Sequence, residues 1–203
     1  LDQDQVAAAR FPLGEHDKAW AREQVAARGL APAPRGESQE LCFVTAGTHG
    51  EWIDRHVPSA PGPGPIVDGA GRRLGTHPGI HHLTVGQRKG LGIAAGEPLY
   101  VTAIDARENR VVVGPRAAAM RRELTVHDVS WTGRVPAAVF EADVQIRYNH
   151  TAQPAAVTRE GAGLRVRFAE PQFAVAPGQL AALYDGDTVL GGGWIAGGPG
   201  DAS

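Results

Sequence analysis

Apolar and polar positions change their period along this chain, and the change marks out its parts. Over the first forty residues the pattern is helical. Asp2 to Arg10 reads as a short helix stopped by Phe11-Pro12, and Asp17 is placed to cap a second helix ending at Gly29, with Trp20, Val25 and Ala27 toward a core. Pro32 and Pro34 then break the chain. Thr48-His-Gly-Glu51 has the spacing of a capping box, in which a hydroxyl and a carboxylate satisfy each other's orphan amides. It predicts a short helix through Trp52 and Ile53, ended by Pro58 and the loop Pro61-Gly-Pro-Gly-Pro65.

From Ile66 the period falls to two. Ile66-Val67, a turn at Asp68-Gly69, then Leu99 to Ile104 and Arg110 to Val113 joined by a turn containing Asn109 describe a small β-rich unit. Further on, Val139 to Tyr148, Ala155 to Arg159, Leu164 to Phe168, Gln179 to Tyr184 and Val189 to Ile195 alternate in the same way, with turns at Gly161-Ala-Gly163 and Asp185-Gly186. Five or six short antiparallel strands at this spacing predict a small closed barrel. The expected fold is α+β and mainly β: short N-terminal helices over residues 1–40, a central β-rich domain over 41–118 and a C-terminal antiparallel β-barrel over 119–203.

Composition adds three limits. A chain of 203 residues can bury one substantial core or two modest ones. The formal charge of −2 exerts no global pull on nucleic acid, so any such contact comes from local patches. Two acid-free runs qualify: Gly69 to Gly96, with Arg72, Arg73, Arg88 and Lys89, and Arg110 to Arg122, with Arg116 and Arg121 between. The bias of eighteen arginines to two lysines reflects coding composition and is not itself a sign of RNA binding. One cysteine excludes an internal disulfide framework, no apolar run approaches the roughly 20 residues that span a bilayer, and the acidic start is unlike a signal peptide. A reducing, cytoplasmic setting without membrane contact is expected.

Few residues stand out as chemistry by type alone. Cys42 lies in the apolar Leu41-Cys-Phe-Val44, where a lone thiol is most often a buried structural one. His77, His81 and His82 form His-x3-His-His, but Pro78 and Gly79 oppose a helix and no second sequence cluster offers further ligands. Polar turn positions or RNA contacts are expected there, and no metal site. Gly191-Gly-Gly193 lacks the context of a phosphate loop and reads as close strand packing. Asp105, Glu141 and Asp143 read as solvated strand-face charges. Arg147-Tyr148 pairs a phosphate-seeking guanidinium with a ring able to stack on a base, although Tyr148 in a barrel core is an equal reading of the dipeptide.

Several blocks taken together go further. Thr84-Val-Gly-Gln-Arg-Lys-Gly-Leu-Gly-Ile93 resembles a signature segment of the tRNA-specific 2-thiouridylases, and Phe11-Pro-Leu-Gly-Glu15, Glu37-Ser-Gln-Glu-Leu-Cys-Phe43, Gly75-Thr-His-Pro-Gly-Ile80, Arg147-Tyr148, Pro177-Gly-Gln179 and Leu190-Gly-Gly-Gly193 resemble that family's blocks in the family's order. The resemblance covers nearly the whole chain but only the back half or so of a family member. The family's ATP-pyrophosphatase-type domain, with its Ser-Gly-Gly-Val-Asp-Ser-like loop and first catalytic cysteine, does not occur here.

The resemblance implies a chemistry and a set of residues. ATP adenylates O2 of the wobble uridine of tRNA, and a persulfide on Cys42 delivers sulfur to C2. It implies tRNA contacts at Arg147, Tyr148 and Gln179, and with less force at Gln87, Arg88 and Lys89. ATP and Mg²⁺ then belong to the whole enzyme, a tRNA-uridine 2-sulfurtransferase, and none is expected bound here; this portion alone is expected to be inactive. The sulfur would come from an upstream sulfur-carrier protein or cysteine desulfurase. Two other classes stay open: a non-catalytic RNA-binding β-barrel module, and a sulfur-relay protein without RNA contact.

Overall fold

The computed structural model describes residues 3–30 and 47–196. Three short helices come first: α1 (Gln3–Ala8), α2 (Lys18–Ala27) and α3 (His49–His56). Asp17 caps α2, its carboxylate accepting from the Trp20 amide at 2.7 Å. The capping box of α3 forms in full: Thr48 Oγ1 accepts from the Glu51 amide at 3.3 Å, and Glu51 accepts from the Thr48 amide at 2.9 Å. The expectation that α2 buries a face is corrected, since Trp20 and Val25 are half-buried and Ala27 is exposed.

A four-stranded sheet follows, in the order β2 (Arg73–His77), β1 (Gly64–Val67), β4 (Arg110–Gly114), β3 (Tyr100–Asp105). β1 and β4 run parallel, with Ile66 opposite Val111, and the other pairs are antiparallel. Its core is Ile66, Leu83, Leu91, Val101, Val111 and Val113. Two features differ from the sequence reading. β1 starts inside the Pro-Gly loop, because at Gly64 any Cβ would strike the Asn109 carbonyl oxygen. β2 was not expected at all, since Arg-Leu-Gly-Thr-His lacks an apolar alternation.

The remaining strands close into a barrel in the order β10 (Thr188–Ile195), β5 (Met120–Trp131), β8 (Gly163–Phe173), β7 (Gln153–Glu160), β6 (Val139–Gln145), β9 (Leu180–Asp185), with every neighbouring pair antiparallel. The alternation of β8 shows why: Leu164, Val166 and Phe168 point inward while Arg165 and Arg167 face out. β5 escaped the sequence reading because only Leu124 and Val126 are buried along its twelve residues, and its first residues read as a basic patch. β6 ends at Gln145, three residues short of Tyr148.

The glycine triplet of β10 packs as expected. A Cβ at Gly191 or at Gly193 would lie 2.5 Å from a carbonyl oxygen of β5, and one at Gly192 would lie 2.6 Å from the Ala181 carbonyl oxygen of β9. Phe168, 1% exposed, is among the largest side chains fully inside the barrel. Phe168→Ala is expected to cost about 3–5 kcal/mol, seen as a lower urea midpoint at unchanged denaturant dependence. None of the helices among the described residues is long and apolar enough to cross a membrane.

Candidate functional site

The Thr84 to Ile93 loop is shaped by its own backbone. Gly86, Gly90 and Gly92 take positive φ of 91°, 76° and 65°, which non-glycine residues rarely adopt. Gln87 holds the loop together: its Oε1 accepts from the Thr84 amide at 3.1 Å, and its Nε2 donates to the Lys89 carbonyl at 2.9 Å. Its backbone carbonyl accepts from the Val101 amide, tying the loop to β3. Both ends of the Gln87 amide are therefore engaged within the loop, and Gln87 positions its neighbours. Arg88 and Lys89 are exposed. Beside them an open hollow of about 690 Å³ is lined by Arg88 and the stretch from Gly90 to Leu99.

The barrel contributes a second set of residues at one rim. In the β6–β9 pair Gln145 stands opposite Ala182, so the end of β6 and the start of β9 lie together. Tyr148 follows the first and Gln179 precedes the second. Tyr148 is 85% exposed, which rules out a core role and leaves its ring open on the surface. Gln179 is exposed, its carbonyl accepting from the Ile195 amide at 2.8 Å. Arg147 is half-buried and donates from Nη1 to the Phe173 carbonyl at 3.2 Å.

This rim is braced by residues that sequence reasoning missed. Gln145 Nε2 donates to the carbonyls of Tyr148, at 3.0 Å, and His150, at 2.8 Å, while its Oε1 accepts from the Tyr184 hydroxyl at 3.1 Å. His150 Nε2 donates in turn to Oε1 of the buried Gln172. One glutamine thus sets the turn that carries Arg147 and Tyr148. No local motif signals it, because the Tyr184 hydroxyl that holds its Oε1 comes from β9, across the barrel.

Phe173-Ala174, at the end of β8, joins the loop to the rim. Arg147 binds the Phe173 carbonyl from the barrel side. From the sheet side Gly86 abuts Ala174 so closely that a Cβ at Gly86 would overlap that of Ala174. The Phe173 ring meets Tyr100 edge-on at 5.5 Å, and the Arg116 guanidinium lies over it at 4.6 Å. Arg116 belongs to the second basic run read in the sequence, and the fold carries that run to the same seam as Arg147. Gly86→Ala combines an unfavourable φ with this overlap and is expected to destabilise by about 2 kcal/mol or more. A thermal melt reads the loss, and faster exchange of the Gly86 and Val101 amides would place it at the seam.

Cys42 lies outside the described residues. The histidine triplet divides. His77 is 2% exposed and its Nε2 donates to the Asn109 carbonyl at 3.1 Å, so the expectation of a polar turn or RNA contact is corrected for it to a packed residue at the end of β2. His81 and His82, in a 3-10 turn over Ile80–His82, both reach Asp54 of α3: His81 Nε2 lies 2.6 Å from Oδ1, and His82 Nε2 lies 2.9 Å from Oδ2. The acidic partner that both rings share comes from α3. The His81 hydrogen bond, aided by His82, holds the Asp54 carboxyl below its ordinary value against a smaller effect of burial. Of the strand charges, Asp105 pairs with Arg110 at 2.9 Å.

Comparison with known proteins accounts for this layout. Residues 121–195 match the family model described as an aminomethyltransferase β-barrel domain, residues 50–115 a tRNA methyl transferase PRC-barrel domain, and residues 1–46 a tRNA methyl transferase HUP domain. The chain is 50% identical to the tRNA-specific 2-thiouridylase MnmA of Trichormus variabilis over 198 residues, covering 96% of this chain and 56% of that protein. Against the protein of the same name from Nostoc sp. it is 49% identical with the same coverage. The one from Roseiflexus sp. is 48% identical over 97% of this chain and 53% of its own length. The chain therefore spans about half the length of the curated relatives it matches. With three adjoining segments each matching a different model of one family, and about half its residues shared with these relatives, the chain belongs to the tRNA 2-thiouridylase family as a partial member.

Proposed function

We propose that this chain is the tRNA-docking and sulfur-delivering portion of a tRNA 2-thiouridylase. The observation that carries the docking half is the Phe173-Ala174 seam. It is gripped by Arg147 from the barrel and abutted by Gly86 from the loop, so Tyr148, Arg147, Arg116, Arg88 and Lys89 all belong to elements that meet at one joint. Exposed guanidinium and ammonium groups neutralise phosphates, an exposed tyrosine stacks on an unpaired base, and Gln179 offers hydrogen bonds at the same rim. Structured RNA with splayed loop bases suits such a surface.

Sulfur delivery rests on Cys42 and its family-like block. As a persulfide, its terminal sulfur attacks C2 of a uridine whose O2 has been activated, and that oxygen leaves as the new carbon–sulfur bond forms; a second thiol, not supplied by this chain with its single cysteine, then breaks the sulfur–sulfur bond by forming a disulfide with Cys42 and releases the thiolated base. The persulfide is supplied by a sulfur-carrier protein or a cysteine desulfurase, and the setting is the cytoplasm. ATP and Mg²⁺ need a phosphate cradle. Residues 3–30, the described part of the HUP match, contain only Gly14 and Gly29 as glycines and form no glycine-rich loop at a helix start. Those residues do not fit these groups, which we assign to another part of the enzyme.

The test is tRNA binding by this chain at low and moderate salt. Salt-sensitive binding that depends on Arg147 and Tyr148 supports the reading, and absence of binding at both salt concentrations overturns the docking half.

A further inference from the structure

We propose that Asp54, His81 and His82 form a binding site for one divalent transition-metal ion of the zinc class. Two imidazoles and one carboxylate suit zinc and its borderline neighbours, which take nitrogen and oxygen donors and accept water in a remaining position. The candidate donor atoms all lie within 4.8 Å of one another. The site is independent of the RNA surface: none of its residues belongs to the Arg147–Phe173 contact or to the loop from Thr84 to Ile93.

Packing holds the two rings in place. His82 lies so close to the backbone of Gly50 that a Cβ there would overlap its Nδ1. His81 is held in the same way at Gly79, where a Cβ would meet its Cε1 at 2.5 Å. The imidazoles are 11% and 18% exposed while the Asp54 side chain is 48% exposed, so two fixed ligands face a carboxylate with solvent access on its far side. The Asp54 carboxylate also borders a concavity shared with Gly47, Glu51 and Arg55.

Metal binding would change the tautomer of His81. In the hydrogen-bonded arrangement each Nε2 donates to Asp54, and His81 Nδ1 is left buried without a partner. Metal binding takes the Nε2 lone pairs, so the remaining ring proton of a neutral His81 moves to Nδ1. There it becomes a donor. An ion would also cross-link α3 to the turn that leads into the Thr84 to Ile93 loop, between partners 27 and 28 positions apart in the chain.

The test is calorimetric titration of Zn²⁺ into the 203-residue chain carrying Cys42→Ser, so that its one thiol contributes nothing. One ion per chain is expected. Asp54→Asn and His82→Ala should each weaken binding by more than about tenfold, since loss of even an outer-shell partner costs about 10- to 100-fold. His127→Ala removes another histidine–carboxylate pair, His127–Asp128 at 2.9 Å, and should change nothing. Asp54→Asn alters a solvent-exposed helix position, so it keeps the test valid if His82→Ala misfolds. Absence of stoichiometric binding, or binding that survives Asp54→Asn or falls with His127→Ala, overturns the site.

Discussion

Replacing Arg147 and Tyr148 together by alanine should weaken tRNA binding by about 30- to 1000-fold. Base stacking on one aromatic contributes about 1–3 kcal/mol, a charge-assisted phosphate contact adds roughly 1 kcal/mol, and each 1.4 kcal/mol is a factor of ten. The two residues separate in their signatures. Loss of Arg147 should lower the slope of log affinity against log salt by about one, because one phosphate contact is lost. Loss of Tyr148 should weaken affinity at every salt concentration while leaving the slope unchanged. Tyr148→Phe keeps the ring and should bind nearly as the parent does, whereas Tyr148→Leu should not. A double variant that binds as tightly as the parent would place the tRNA contact away from Arg147 and Tyr148, and a parent that binds no tRNA would revive the reading as a sulfur-relay protein without RNA contact. Because Arg147 also satisfies the Phe173 carbonyl, its loss should cost about 1 kcal/mol of stability as well. A melt run beside the binding assay keeps the two effects apart.

The second large effect is all or none. Incubated with a cysteine desulfurase and cysteine, the chain should gain the mass of one sulfur atom, reversed by a thiol reductant, and Cys42→Ser should gain none. The presence of a single cysteine makes the assignment unambiguous. A free thiol is mostly protonated at neutral pH, with a pKa of about 8.5, and no cation flanks Cys42 closely in sequence: Arg35 and Arg55 are the nearest. Loading should therefore rise with pH through the alkaline range unless the fold or the partner lowers that pKa. Cys42→Ser should leave tRNA affinity unchanged if docking is, as proposed, at the seam and the barrel rim. A wild-type chain that binds tRNA but takes up no sulfur would be a non-catalytic RNA-binding module instead.

Much of this layout was legible in local spacing. Thr48 and Glu51 announce a capping box because both partners lie within one helical turn, and Leu164, Val166 and Phe168 announce a barrel strand because the pleat places alternate residues on one face. Gly191 to Gly193 announce tight strand packing, and the family blocks are what nominate Arg147, Tyr148 and Gln179 as candidates. β5 and β2 stayed hidden because their outward residues are polar and their inward positions few. β5 is held by ladder partners such as Phe173 for Met120 that no local window contains, and β2 pairs back on β1, Thr76 with Pro65, across a single turn.

The tertiary structure alone decided which residues share a place. His77 and His81 are four residues apart, yet one is packed beneath Asn109 and the other reaches Asp54, because β2 ends between them and the chain turns at Pro78-Gly79. Gln145 braces a turn whose other supports lie on β8 and β9, and Arg116 reaches Phe173 across more than fifty residues. Strand alternation and helix caps are set by neighbours within a few bonds and can be read along the chain. A seam or an ion site depends on which surfaces the closed barrel and the sheet bring into contact, and that follows from burying both cores at once.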